Sequence, residues 1–78
     1  MKMNEMKEKL IQMNFEYDDA FCSGRIFTYE DDEKSIEITL ISNSEVYVRY
    51  AYNEMFDKHI EKFITTYFDC LDFLDCVM

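Results

Sequence analysis

The last third of the sequence, from Asn53 to Met78, carries the most regular apolar pattern in the chain and sets the strongest limit on its fold. Phe56, Ile60, Phe63, Ile64, Tyr67, Leu71, Leu74 and Met78 recur at steps of three and four, the spacing that stacks side chains on one face of a helix. The pattern predicts one long helix over this stretch. Asp57, Glu61, Asp72 and Asp75 fall on a second stripe, because at 100° per residue all four project within roughly 60° of one another. One face then builds a core while another displays carboxylates. Asn53 supplies the N-cap, and Glu54 and Asp57 follow near the positive end of the helix dipole. Toward the far end, Asp69, Asp72 and Asp75 place negative charge where the dipole disfavours it, and Phe73 and Val77 point off the main apolar stripe. Because these last turns break the packing rules that the rest obeys, they are where a function of this helix is expected.

Upstream, the period changes from 3.6 to 2. Ser35 to Ile41 alternates Ile36, Ile38 and Leu40 against Glu37 and Thr39, Ser42-Asn43-Ser44 supplies turn chemistry, and Glu45 to Tyr52 alternates again. A three-residue loop at Ser42 to Ser44 sets Leu40 opposite Val46, Ile38 opposite Val48 and Ile36 opposite Tyr50, all on one face. The other face pairs Thr39 with Tyr47 and Glu37 with Arg49, whereas a two-residue loop would mix apolar and charged positions. Arg25 to Glu30 alternates as well, with Phe27 and Tyr29 on one side and Ile26 and Thr28 on the other, and Gly24 before it marks a bend or bulge. Between these runs, Glu30-Asp31-Asp32-Glu33 and then Lys34 form the predicted hairpin loop, where close like charges repel even through water.

At the start of the chain, Met3, Met6, Leu10 and Met13 repeat at helical spacing, with lysines and glutamates on the other face, so a short amphipathic helix is predicted over about 3–14. Phe15 to Ser23 has no clean period and reads as a connection. The expected architecture is therefore α+β, a two-layer α-β-β-β-α domain over residues 1–78, with a three-stranded antiparallel sheet covered on one face by an N-terminal and a long C-terminal helix. Ile26, Tyr47 and Arg49, with Ile41 nearby, then lie on the open face.

Seventeen acidic residues against eight basic ones give a net charge of -9, and an apolar fraction of 49% argues for a folded chain. Direct nucleic-acid binding is disfavoured, since phosphate contacts demand Lys and Arg. The same surface attracts basic grooves, including those that nucleic acids occupy. Three cysteines, Cys22, Cys70 and Cys76, form no complete disulfide framework and lack the close-spaced ligand pairs of a zinc site with His59. The acidic loop lacks the spacing of a calcium site. No apolar run is long enough for a membrane span, and a cytoplasmic location is expected.

No nucleophile stands at a spacing that pairs it with His59, and there is no Gly-rich phosphate loop, so no enzyme activity, metal or cofactor is expected. What remains is binding. The order of helix, hairpin sheet and helix, with small size, acidity and the run Ile60-Glu61-Lys62-Phe63-Ile64 opening the last helix, resembles the small acidic prophage anti-CRISPR proteins that block Cas9. The resemblance spans the architecture of most of the chain, with residue likeness around that run. It implies a phage-type inhibitor that blocks the DNA or RNA site of a basic nucleic-acid-handling protein, such as a CRISPR effector, by steric and acidic mimicry. The expected partner-binding residues, read from charge and position, are Glu30, Asp31, Asp32 and Glu33 on the loop and Asp69, Asp72 and Asp75 on the helix. Two other classes fit the composition: an immunity or antitoxin protein that caps a toxic enzyme, and a structural or regulatory homodimer.

Overall fold

The computed structural model describes residues 1–17 and 24–78. Its elements are α1 (Met3–Gln12), β1 (Glu16–Tyr17), β2 (Ile26–Glu30), β3 (Lys34–Leu40), β4 (Glu45–Glu54), β5 (Asp57–Thr66) and α2 (Tyr67–Val77). The strands form one antiparallel sheet in the order β1-β2-β3-β4-β5. Residues 18–23, which hold Cys22 and the end of the stretch read as a connection, lie outside the described residues.

Alternation fixes which face is buried. The row Tyr17, Phe27, Ile38, Val48 and Phe63 crosses all five strands on one face, while Glu16, Thr28, Glu37, Arg49 and Lys62 cross on the other. Phe27, Ile36, Ile38, Leu40, Val46 and Val48 are fully or almost fully buried and join Met6 and Leu10 of α1 and Tyr67, Cys70 and Leu74 of α2 in one cluster. Both helices therefore cover the same face. Each such side chain contributes roughly 1.5–3 kcal/mol by leaving water, which makes this face the main source of stability. The β3–β4 hairpin has the register that the three-residue loop requires, with Leu40 opposite Val46, Ile38 opposite Val48 and Glu37 opposite Arg49. Ser42 organises that loop by accepting at Oγ from the backbone N–H groups of Ser44 and Glu45.

α1 ends where its sequence says it should. Asn14 takes a left-handed φ of 70°, a conformation Asn tolerates. The Phe15 N–H then reaches the Leu10 carbonyl at 3.0 Å and the Asn14 N–H that of Ile11 at 3.0 Å, the paired bonds that close a helix C-terminus. Phe15 and Leu10 are both buried, so the cap also seats the helix on the sheet.

The C-terminal third is not one helix, and the sheet has five strands, not three. Residues 57–66 form β5, which pairs with β4 through ten residue pairs from Glu45↔Thr66 to Glu54↔Asp57. The misreading has a physical cause. Ile60 and Ile64 are four apart, a step that keeps one face in a helix and also in a strand, and Phe63 takes the opposite side. With Ile60, Ile64, Thr65 and Thr66 the stretch is rich in β-branched residues, and a partner strand of matching length decided the outcome. Asn53 is accordingly a β4 residue opposite Lys58, and Thr66 caps the last helix, its hydroxyl accepting from the Asp69 N–H at 3.2 Å.

Starting the helix at Tyr67 moves its charges. Asp69 now lies in the first turn, where the dipole favours a carboxylate, Asp72 lies mid-helix, and only Asp75 remains near the C-terminal end. Phe73 and Val77 pack against the core rather than pointing into water. Phe73 meets the rings of Tyr50 and Phe63 edge-on, at 5.4 and 5.1 Å. No helix among the described residues is long and apolar enough to cross a membrane.

Candidate functional site

The seven carboxylates singled out in the sequence are all exposed, but they do not form one site. Glu30 ends β2, and Asp31 to Glu33 join it to β3 at one end of the sheet. α2 begins at the other end, where the Tyr67 hydroxyl donates to the Ser42 carbonyl beside the β3–β4 loop. The seven residues of β3 separate these ends, a span of about 20 Å. Asp69 stands at the far end, and Asp75 borders the groove between α1 and α2, with Lys9 on its other wall.

Within the loop, the four acids are not equivalent. Asp31 accepts at Oδ1 from the backbone N–H groups of Glu33 and Lys34, at 2.8 and 2.9 Å, and at Oδ2 from the Tyr29 hydroxyl at 3.0 Å. The Lys34 ammonium lies 3.0 Å from the same Oδ2. Bonding from the Glu33 N–H, with the Lys34 partner, holds the Asp31 carboxyl well below its ordinary range. The same contacts raise the Lys34 ammonium and the Tyr29 hydroxyl, each chiefly through its hydrogen bond to Asp31. Asp31 therefore spends its lone pairs shaping the turn. Glu30, Asp32 and Glu33 project from it as exposed charges.

The loop has a neighbour that sequence reasoning missed. The Asn53 N–H donates to the Glu33 carbonyl at 3.3 Å, tying the acidic loop to the far end of the β4–β5 hairpin. Between them lies an open cleft of about 240 Å³, bordered by Glu30, Asp32, Glu33, Tyr52 and Lys58. The hairpin turn itself is Met55-Phe56, with φ of 50° and 75°, the pair of positive values that defines the tight two-residue turn matching strand twist. That turn ordinarily takes Asn-Gly. Bulky residues there cost roughly 1–2 kcal/mol each, because Cβ crowds the following carbonyl. Met55 is 87% exposed and Phe56 108%. Glu54 and Asp57, directly opposite one another at the base of the turn, add two like charges. Beyond the turn, His59, Glu61, Phe63 and Thr65 share one face and Ile60, Lys62 and Ile64 the other, each a mixture of apolar and polar residues, so only the β-branched content of the stretch hints at a strand.

Behind the tip, aromatic rings stiffen the hairpin on its helix-facing side. Tyr50 and Tyr52 stack at 4.8 Å, and Tyr52 and His59 at 5.2 Å. The His59 Nε2 lies 3.9 Å from the Glu54 carboxylate. Desolvation, then Glu61 and Glu54, push the Tyr52 hydroxyl up.

On the opposite face, the register sets Ile26, Thr39, Tyr47 and Ile64 in one row, with Arg49 and Lys62 in the next. None of the described elements covers this face. Ile41, Ile60 and Ile64 are 43%, 46% and 60% exposed, and β5 is an edge strand along its whole length.

No family model, curated protein or solved structure matches this chain. Among the described residues, no three His, Cys, Asp or Glu side chains come together as a metal site. Cys70 and Cys76 are free thiols, one buried and one exposed, and burial pushes the Cys70 thiol up to about 12, which makes it a packing residue rather than a nucleophile.

Proposed function

We propose that this chain is a non-catalytic inhibitor that docks on a basic, nucleic-acid-handling protein in the cytoplasm and blocks its DNA or RNA site, in the manner of the anti-CRISPR proteins. The observation that carries the reading is a net charge of -9 on 78 residues, with the carboxylates of Glu30, Asp32, Glu33, Asp69, Asp72 and Asp75 all on the surface. A partner that binds phosphates offers the complementary field. The run Ile60 to Ile64 adds nothing to this reading, because it lies in β5 and not on a helix. Purified Cas9 with its guide RNA provides the first test: added chain displaces labelled target DNA, and displacement weakens as salt rises. Unchanged DNA binding at every concentration of chain argues against that partner class.

A homodimer is the second reading, favoured by the uncovered sheet face and the ten-residue edge of β5. Two copies of this charge repel, so its signature is association that strengthens with salt. Sedimentation that reports a monomer at every protein and salt concentration removes it.

A further inference from the structure

The end of the β4–β5 hairpin combines three local costs: bulky Met55 and Phe56 at positive φ, nearly complete exposure of both, and Glu54 opposite Asp57, with the His59 Nε2 at 3.9 Å from Glu54. The loops joining β2 to β3 and β3 to β4 behave differently, using Asp31 or Ser42 to satisfy backbone N–H groups. We propose that Met55 and Phe56 are an anchor that inserts into an apolar pocket of a partner protein, and that lysine or arginine side chains border the pocket. The inference rests on the acidic-binder reading and names the end of the molecule that makes contact.

Charge selects the occupant. Glu54 and Asp57 flank the anchor, and Glu30, Asp32 and Glu33 stand at the same end of the sheet, held there by the bond from Asn53 to Glu33, so that these five carboxylates outnumber the nearby cations Lys34 and Lys58. A buried apolar plug ringed by exposed charges is how binding hot spots are built, the plug holding the complex and the ring steering its approach. An anionic lipid surface repels this ring, and a second copy brings the same ring against it. A protein pocket with a basic border meets both the plug and its surroundings.

The test begins with phage-displayed, disulfide-closed random peptides panned on the full wild-type chain and counter-selected on the Met55→Asn/Phe56→Gly double variant. Asn-Gly suits the turn, so the variant keeps the fold, with a midpoint of thermal unfolding at least about 8 °C higher. Expected are peptides joining aliphatic or aromatic residues to Lys and Arg, whose affinity falls at least about 30-fold on the double variant and on Phe56→Ala. Tip-dependent peptides that are acidic or uncharged overturn the proposal. So do binding to vesicles of phosphatidylcholine and phosphatidylglycerol, a dimer lost in the double variant, or a lower melting point for Asn-Gly. Displacement of DNA from Cas9 that survives the double variant removes the anchor while leaving the acidic-binder reading intact. Basic peptides that bind the tip without any such displacement support the anchor and count against that partner class.

Discussion

Asp31 shows how one residue can carry a different role from its neighbours. It is one of four consecutive acids, and at the level of sequence all four read as solvated charge available to a partner. Its hydrogen bonds to Glu33 and Lys34 depend on the path of the loop, which a run of like residues does not reveal. The contacts have a pH signature. A carboxyl held below its ordinary value of 3.8 stabilises the fold fully above that pH and loses this contribution progressively as pH falls from there through the lower folded value. Asp31→Asn should therefore lower the melting temperature at pH 7, with the gap to wild type closing below about pH 4. Thermal melts across pH check this, and a gap that stays constant contradicts the role given to the carboxylate. Asp32→Asn, which removes an exposed charge of the same loop, should leave stability within about 0.5 kcal/mol of wild type.

At the scale of elements, the β3–β4 hairpin was legible residue by residue, because alternation and loop length allow only one register that keeps Ile36, Ile38 and Leu40 with Val46 and Val48. α1 was legible too, since its apolar stripe has no competing period. β5 was not. Ile60 and Ile64 satisfy both periods, and the turn before them has Met55-Phe56 in place of the glycine that would have announced it. The candidate site suffered with it: Asp69 and Asp72 looked misplaced only because the helix was started too early, Phe56 was placed on its core stripe, and Met55 went unnoticed inside it. The two assignments differ in consequence. Ile64 belongs to the core stripe of a long helix, but in the sheet it is 60% exposed. Ile64→Lys should cost less than about 1 kcal/mol, whereas Leu74→Ala, which empties a fully buried position of α2, should cost about 2–5 kcal/mol. Urea titrations of both variants distinguish the assignments, and a large loss from Ile64→Lys contradicts the sheet.

At the scale of the whole molecule, strand exceeds helix, with 47% of the described residues in strands and 31% in helices. The far-UV circular dichroism spectrum should accordingly be strand-dominated; the deep double minimum of a mostly helical protein would contradict the fold. The sheet buries one face under α1 and α2 and leaves the other uncovered, and it concentrates carboxylates and the Met55-Phe56 tip at one end. Net charge was readable from composition alone and still carries the functional reading. The arrangement that gives the charge a direction was not, because it depends on which loops the sheet brings to the same end. The direct measurement is the anisotropy of labelled target DNA bound to purified Cas9 and guide RNA as this chain is titrated in. The account predicts competitive release of the DNA, weakening as salt is raised from 0.05 to 0.5 M, and weakened further when Glu30, Asp32 and Glu33 are changed together to lysine. DNA that stays bound throughout the titration, or release indifferent to both salt and charge reversal, would contradict it.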